Sequence, residues 1–129
     1  MIDSAPKYSQ NNLHFFPQFE YFFDSSPDLL CIAGFDGYFK RINPAMTKLL
    51  GYTEEEILSR PINDFILEAD KLTTTNARKE LTQDIGLYNF ENRYVTKSGA
   101  IVWLLWSSFP VAKDRLVYAV AKNITLDKS

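Results

Sequence analysis

Two glycine turns, far apart in the chain, constrain its fold more than any other feature. Asp36-Gly37 is the first turn and Ser98-Gly99 is the second. Each lies between apolar runs of strand length, a pattern that predicts a tight antiparallel hairpin. The predicted strands are 29–35, 38–42, 87–97, 100–111 and 115–124. Because the residues between the two hairpins have helical patterns, the sequence predicts an antiparallel sheet interrupted by a helical insert.

The insert contains several helix start and stop signals. Asn43 followed by Pro44 predicts a capped helix start, and Gly51 predicts its end. Thr53 with Glu56 predicts a capping box that opens a second short helix. A short turn at 61–66 and a longer helix of weak amphipathicity at 68–84 complete the insert. These signals also occur as purely structural features in many folds.

An aromatic stripe precedes the first strand. Its members recur at helical spacing and are Phe15, Phe16, Phe19, Phe22 and Phe23. They predict a helix over about 15–24, after a tail or linker at 1–12. In the run 100–111, Val102, Leu104 and Trp106 alternate with other apolar residues, so both faces of this strand require cover. We expect the insert on one sheet face and the aromatic helix, or a second subunit, on the other.

Composition limits the classes of partner and chemistry. The chain has 129 residues and a net charge of -2 with scattered basic residues, which indicates one globular domain and argues against nucleic acid. No apolar run is long enough to span a membrane, and Cys31 is the single cysteine. A cytoplasmic location is therefore expected, although a parent protein could be tethered to a membrane. The sequence contains no Ser/His/Asp set, phosphate-binding glycine loop or metal cluster, so an autonomous enzyme is disfavoured.

The order and spacing of the motifs resemble those of a PAS sensory domain with its PAC segment. The residues that carry the resemblance are Ser26-Pro27-Asp28, Asp36-Gly37, Asn43-Pro44-Ala45, Leu50-Gly51-Tyr52-Thr53, Lys97-Ser98-Gly99, Trp103, Pro110 and Asn123-Ile124-Thr125. The resemblance implies an α+β fold over 13–125, with its core at 27–125 and an output linker beginning at 126–129. It implies a five-stranded antiparallel sheet of order 2-1-5-4-3, whose helical insert forms the lid of a small-molecule cavity. It also implies a regulatory role beside an effector domain, most often in a histidine kinase or a cyclic-dinucleotide enzyme.

Two cofactor modes of such domains are disfavoured here. Ile62 occupies the position of the cysteine that forms a flavin photoadduct, and an alkyl group provides no thiolate. The predicted long helix contains no histidine for haem, and His14 lies outside the implied cavity. A flavin or another metabolite held without a covalent bond remains open, and the ligand itself is not specified.

The resemblance also implies which side chains face the cavity. The candidates are Ile32, Phe65, Asn76, Phe90, Asn92, Tyr94, Leu104, Trp106, Ser108 and Ala121. Asn76, Asn92, Tyr94 and Ser108 would place polar groups in an otherwise apolar wall. In the alternative interpretation, Trp106 and Tyr94 fill this space as ordinary core.

Signal output is expected where the last strand ends. Such domains commonly end in Asp-Ile-Thr, whereas this chain has Asn123 before Ile124 and Thr125. Asparagine keeps an acceptor but loses the charge, so an ion pair at this position would be lost. Two functions remain: a ligand-responsive sensor, or a ligand-free module in which the aromatic helix pairs two chains as a homodimer.

Overall fold

A computed structural model describes residues 17–129 as one five-stranded antiparallel sheet with helices. The strands are β1 (Leu29–Gly34), β2 (Phe39–Ile42), β3 (Leu87–Val95), β4 (Ile101–Val111) and β5 (Leu116–Asn123). Their order across the sheet is β2-β1-β5-β4-β3. The predicted fold class and strand order are therefore confirmed.

The two turns form as the sequence predicts. Gly37 has a φ of 87° and Gly99 a φ of 94°, a backbone region that side chains with a Cβ rarely adopt. Asp36 supports the first turn, because its Oδ1 accepts a hydrogen bond of 3.1 Å from the Tyr38 amide. Each turn thus joins two neighbouring antiparallel strands.

Four α-helices accompany the sheet. They are α1 (Pro17–Ser25), α2 (Pro44–Leu50), α3 (Glu54–Leu58) and α4 (Lys71–Leu81). Helix α4 is shorter than the predicted 68–84, because a separate 3-10 turn occupies Glu68–Asp70. Beyond Leu81 the chain reaches Asp84, whose φ of 66° cannot continue a right-handed helix.

Local chemistry explains where the short helices begin and end. The Glu56 amide donates to Thr53 Oγ1 at 3.1 Å, and the Thr53 amide donates to Glu56 Oε1 at 2.9 Å. The predicted capping box is therefore confirmed. Gly51 ends α2 with a φ of 79°, as its position after the apolar run predicts.

Asn43 has a different role from the predicted helix cap. It occupies the N-cap position of α2, but its side chain makes no capping hydrogen bond. Instead, Oδ1 accepts from the Leu30 amide at 3.1 Å, and Nδ2 donates to the carbonyls of Phe23 and Asp28 at 3.1 and 2.9 Å. One buried amide therefore connects α1, the following loop, β1 and the start of α2.

The hydrophobic core lies between one sheet face and the helical insert. Its fully buried members include Met46, Leu50, Ile57 and Leu104. On the opposite sheet face, the Arg41 guanidinium lies 4.4 Å from the centre of the Phe23 ring of α1. Of the predicted aromatic stripe, Phe23 is buried, whereas Phe19 is 50% and Phe22 69% exposed. Phe15 and Phe16 lie outside the described residues.

Replacing Asn43 with alanine tests whether its amide organises the fold. The change removes three hydrogen bonds and leaves buried backbone groups without partners, so we expect the free energy of unfolding to fall by about 3 to 5 kcal/mol. Urea denaturation followed by circular dichroism measures the loss. Lys48→Ala is the control, because Lys48 is an exposed residue of α2, and it should change stability by less than about 0.5 kcal/mol. A loss below about 1 kcal/mol in Asn43→Ala would contradict this role.

Candidate functional site

A cavity lies between helix α4 and the inner face of the sheet. It encloses about 50 Å³. The side chains that line it are Cys31, Ala33, Phe39, Ile62, Thr74, Ala77, Arg78, Leu81, Leu87, Phe90, Asn92, Tyr94, Trp106, Ser108, Val117 and Ala119. An apolar cavity of ~150 Å³ admits benzene, and one water needs ~10 to 15 Å³. In this conformation the space therefore fits a molecule of only a few heavy atoms.

A buried hydrogen-bond network determines the shape of the cavity. The Trp106 indole Nε1–H donates to Asn92 Oδ1 at 2.9 Å. The Asn92 amide Nδ2 in turn donates to Thr74 Oγ1 on α4 at 3.2 Å. Because β3 and β4 hold Asn92 beside Trp106, the network fixes the indole in the sheet and joins α4 to it. Trp106 thus borders the cavity without filling it.

Two hydroxyl groups of the cavity wall have no hydrogen-bond partner within 17–129. Tyr94 is 2% exposed and Ser108 is 6% exposed. Neither hydroxyl makes a hydrogen bond to another part of 17–129, yet no side-chain polar atom there is both sealed and unpaired. Each oxygen therefore borders the cavity space, where a buried hydroxyl without a partner is costly. Burial raises the pKa of the Tyr94 phenol, so the phenol stays a neutral donor.

An ion pair anchors the beginning of α4 to the sheet. The Arg93 guanidinium donates to both carboxylate oxygens of Asp70, at 2.6 and 2.9 Å. The Arg93 amide adds a hydrogen bond of 2.8 Å to Asp70 Oδ2. These bonds hold the pKa of the Asp70 carboxyl below its usual range. The N-terminal end of α4 is therefore clamped to β3.

The structure brings five of the ten predicted cavity residues together. They are Phe90, Asn92, Tyr94, Trp106 and Ser108. Leu104 and Ala121 are buried on the same sheet face but belong to the packed core beside the cavity. Whether any of these residues binds a ligand stays a prediction.

The expected positions of three other residues in the cavity wall are wrong. Ile32 lies on the opposite sheet face, because its neighbours Cys31 and Ala33 point inward. Phe65 is buried against the Tyr52 ring, with 5.2 Å between ring centres, outside the cavity lining. Asn76 is exposed, because the inward face of α4 follows 74, 77, 78 and 81.

Sequence reasoning missed two polar residues of α4 that line the cavity, Thr74 and Arg78. Leu72 of the same helix is apolar but is 73% exposed. Leu87 was also not predicted to line the cavity. An extra residue in β3 near Asn89, whose φ is 55°, lets both Leu87 and Phe90 face the cavity. The three- and four-residue spacing of Thr74, Arg78 and Leu81 was the available signal.

Cys31 is the one cysteine and it lines the cavity. Burial raises the pKa of its thiol to about 12, so the thiol stays protonated at neutral pH. No group of three His, Cys, Asp or Glu side chains in 17–129 is placed to hold a metal ion. Within the same residues, no helix has the length and apolar character needed to cross a membrane.

The end of β5 is connected to β4 through Thr125. The Trp103 amide donates to Thr125 Oγ1 at 3.0 Å, and the Thr125 hydroxyl donates to Asn123 Oδ1 at 2.6 Å. The Thr125 amide also donates to Asn123 Oδ1, at 3.0 Å. Because Asn123 acts here only as an acceptor, asparagine supports this turn without the charge of an aspartate.

Comparisons with known proteins agree with this architecture. A family model described as "PAS fold" matches residues 39–122. A PAS domain from Colwellia psychrerythraea has a TM-score of 0.75 at 21% identity, covering 87% of this chain and 98% of that one. A domain of a sensory box sensor histidine kinase/response regulator from Geobacter sulfurreducens has a TM-score of 0.73 at 17% identity, covering 90% and 98%.

One curated sequence relative comes from Escherichia coli. The probable diguanylate cyclase DgcE is 26% identical over 98 residues, which is 75% of this chain. The chain spans only 8% of the length of that protein. The similarity therefore concerns one segment of a much longer protein.

The clamp of Asp70 on Arg93 predicts a specific dependence of stability on pH. Folding lowers the pKa of Asp70, so the ionised carboxylate stabilises the folded chain. This stabilisation is complete above the pKa of the unfolded chain, ~3.9, and is lost as the pH falls through the lower pKa of the folded chain. At pH ~7, Asp70→Asn should unfold with about 1 to 3 kcal/mol less free energy than the parent chain.

Urea denaturation at a series of pH values measures this difference, which should shrink below pH ~4. Glu68→Gln is the control, because the Glu68 side chain is 89% exposed and its one ion pair within 17–129 is with Lys71. A difference between Asp70→Asn and the parent that stays constant down to pH ~2 would contradict the role of the clamp.

Proposed function

This chain belongs to the PAS-fold family, and from that membership we propose that it is a sensory module of a signalling protein. In this proposal, the cavity under α4 binds a small molecule without a covalent bond. Binding changes the conformation at the end of β5, where an effector domain of the same parent chain would receive the signal. The chain itself performs no catalysis.

The observation that carries the proposal is a pair of hydroxyls, on two buried residues, that have no hydrogen-bond partner within 17–129. Tyr94 and Ser108 border a cavity whose remaining wall is largely apolar. A few polar groups in an apolar concavity are typical of small-molecule sites, because they orient a ligand that the wall desolvates. The Asn92 network supports the same interpretation, since it holds Trp106 at the cavity edge.

The proposed ligand is non-covalent because the cavity offers no activated nucleophile. Ile62, at the position of the photoadduct cysteine, lines the cavity with an alkyl group. The Cys31 thiol is kept protonated by burial. Helix α4 contains no histidine, and His14 lies outside the described residues. These features disfavour a flavin adduct and histidine-ligated haem.

Strand β4 supplies the proposed route to the output. Trp106 borders the cavity, and Trp103, three residues earlier on the strand, donates its amide hydrogen to Thr125. A ligand that shifts β4 therefore acts on Thr125 and Asn123 through backbone contacts. The named relatives support an effector of the histidine kinase or diguanylate cyclase class, with the histidine kinase preferred.

Native mass spectrometry of freshly purified protein tests for the ligand. We expect the parent chain to carry a small-molecule adduct that disappears in Ala119→Leu, because the larger side chain projects into a cavity of about 50 Å³. Tyr118→Leu is the matched control, since Tyr118 is 42% exposed on the other sheet face, and it should keep the adduct. An adduct that survives in Ala119→Leu, or a parent chain that stays free of ligand across a metabolite panel, would contradict the proposal.

A second function, dimerisation, is favoured by the exposed aromatic residues. Tyr21 and Phe22 of α1 are 76% and 69% exposed. On the outer sheet face, the rings of Tyr88 and Phe109 pack edge to face, with 5.6 Å between their centres. A second copy of the chain would remove these apolar surfaces from water. Such a homodimer could hold two effector domains together with or without a ligand.

Phe22→Glu tests whether α1 mediates this association. A charge in a buried apolar interface is costly, so we expect the variant to weaken self-association at least about tenfold in sedimentation equilibrium. Leu72→Glu on α4 is the matched control, because Leu72 is 73% exposed and lies outside α1. If Phe22→Glu associates as strongly as the parent chain, α1 is not the interface.

A further inference from the structure

One cationic side chain, Arg78, lines the cavity. It extends from the inward face of α4, in the same stripe as Thr74 and Leu81. Its single hydrogen bond within 17–129 is a long one, from a terminal guanidinium nitrogen to the Gly34 carbonyl at 3.4 Å. No carboxylate of these residues lies within ion-pair distance of it. Most of its N–H donors are therefore available.

The other polar groups of the cavity can also donate hydrogen bonds. Asn92 uses one Nδ2 hydrogen on Thr74 and its oxygen on the Trp106 indole, so it retains a second N–H. The hydroxyls of Thr74, Tyr94 and Ser108 each keep a hydrogen to donate. No Asp or Glu lines the cavity. The wall thus offers several donors and a positive charge, and it lacks a carboxylate that would match them.

We infer that the ligand of this cavity is a short carboxylate, with its charged group at Arg78 and its hydrocarbon part against the apolar wall. This inference rests on the proposed function of the cavity. Planar carboxylates match the fork of guanidinium donors, and an apolar surrounding strengthens the pairing. At about 50 Å³, the space fits an acid of the size of acetate or propionate unless side chains move.

The electrostatics of the cavity support a site for an anion. The charge of Arg78 acts against burial and favours the ionised forms of both the Cys31 thiol and the Tyr94 phenol. Its field therefore extends to two groups in the cavity wall. Burial nevertheless outweighs this effect at both residues, so neither becomes an anion that could pair with Arg78. Neither residue therefore acts as a counter-ion of Arg78, and an anionic ligand would be attracted to its positive charge.

A cleft on the surface adjoins the cavity at Arg78. This cleft of about 160 Å³ shares Arg78 and Ile62 with the cavity and is bordered by Asp36 and Thr75. Asp36 does not neutralise Arg78, because its carboxylate pairs with Lys40 at 2.7 Å. An anion that entered through this cleft would therefore pass the Arg78 guanidinium.

The test compares three molecules of similar size that differ in charge. Propionate, propionamide and n-propylammonium are titrated at neutral pH and constant ionic strength into the 15N-labelled chain. The indole N–H signal of Trp106 reports cavity binding, because this N–H donates to Asn92 in the cavity wall. We expect propionate to bind at least about tenfold more tightly than propionamide, and propylammonium not to bind.

Variants on α4 connect this preference to the guanidinium. Arg78→Gln should remove the preference for propionate over propionamide, whereas Arg78→Lys should retain part of it. Lys79→Gln is the matched control, because Lys79 is exposed and lines no cavity wall, and it should bind as the parent chain does. If Arg78→Gln does not fold, Arg78→Lys and the ligand comparison decide the question.

The possible results separate this inference from the proposed function. Equal binding of propionate and propionamide, or an unchanged preference in Arg78→Gln, would overturn the carboxylate assignment and leave a small-molecule cavity. If none of the three molecules shifts the Trp106 signal, the carboxylate assignment is overturned. The proposed function then depends on the adduct test with Ala119→Leu, which uses no chosen ligand.

Discussion

The cavity depends on the two hydrogen bonds that the side-chain amide of Asn92 makes. Its oxygen accepts the indole hydrogen of Trp106, and its nitrogen donates to Thr74 of α4. Both bonds are buried, where a polar group without a partner costs ~1 to 3 kcal/mol. The indole is therefore held in its position in the sheet, because moving it would break a buried hydrogen bond. If Trp106 were free to turn, a side chain of this size would fill the remaining space.

The two ends of α4 are attached to the sheet by different chemistry. At its beginning, Asp70 is saturated by three donors of Arg93, and the Leu67 amide donates to the Arg93 carbonyl at 2.9 Å. Further along, the one hydrogen bond of Arg78 within the described residues is the long one to the Gly34 carbonyl. Arg93 therefore attaches the beginning of α4 to the sheet, and Arg78 supplies a positive charge to the cavity. This asymmetry places the strong anchor and the available donors at opposite ends of one helix.

Much of the fold was predictable because its signals are local. Gly37, Gly51 and Gly99 each require a positive φ, and Thr53 with Glu56 forms a box from neighbouring residues. Strand alternation, with the cavity side implied by the family resemblance, also predicts that Asn92 and Trp106 face the cavity, where the structure has them. These features depend on the sequence within a few residues, so a pattern is enough to identify them.

The errors concern features that depend on tertiary packing. The rotation of α4 about its axis buries Thr74 and exposes Leu72, which no local hydrophobic pattern predicts. Asn43 has the sequence of a helix cap, yet its amide binds backbone groups distant in the chain. In both cases, a polar side chain is buried because partners from other elements meet it. Single-sequence patterns contain no information about those partners.

In the proposed function, a small ligand would affect the output through the sheet, without a large movement of α4. Side chains alternate along β4, so Trp106 faces the cavity and Trp103 faces the outer side. On that side, the Lys128 ammonium lies 4.7 Å from the centre of the Trp103 ring, and Lys128 pairs with Glu91 at 2.7 Å. Cavity and chain terminus are thus joined through one strand. Because packed interiors deform little, a shift of that strand at Trp106 would be transmitted to Trp103 and to the segment bound there.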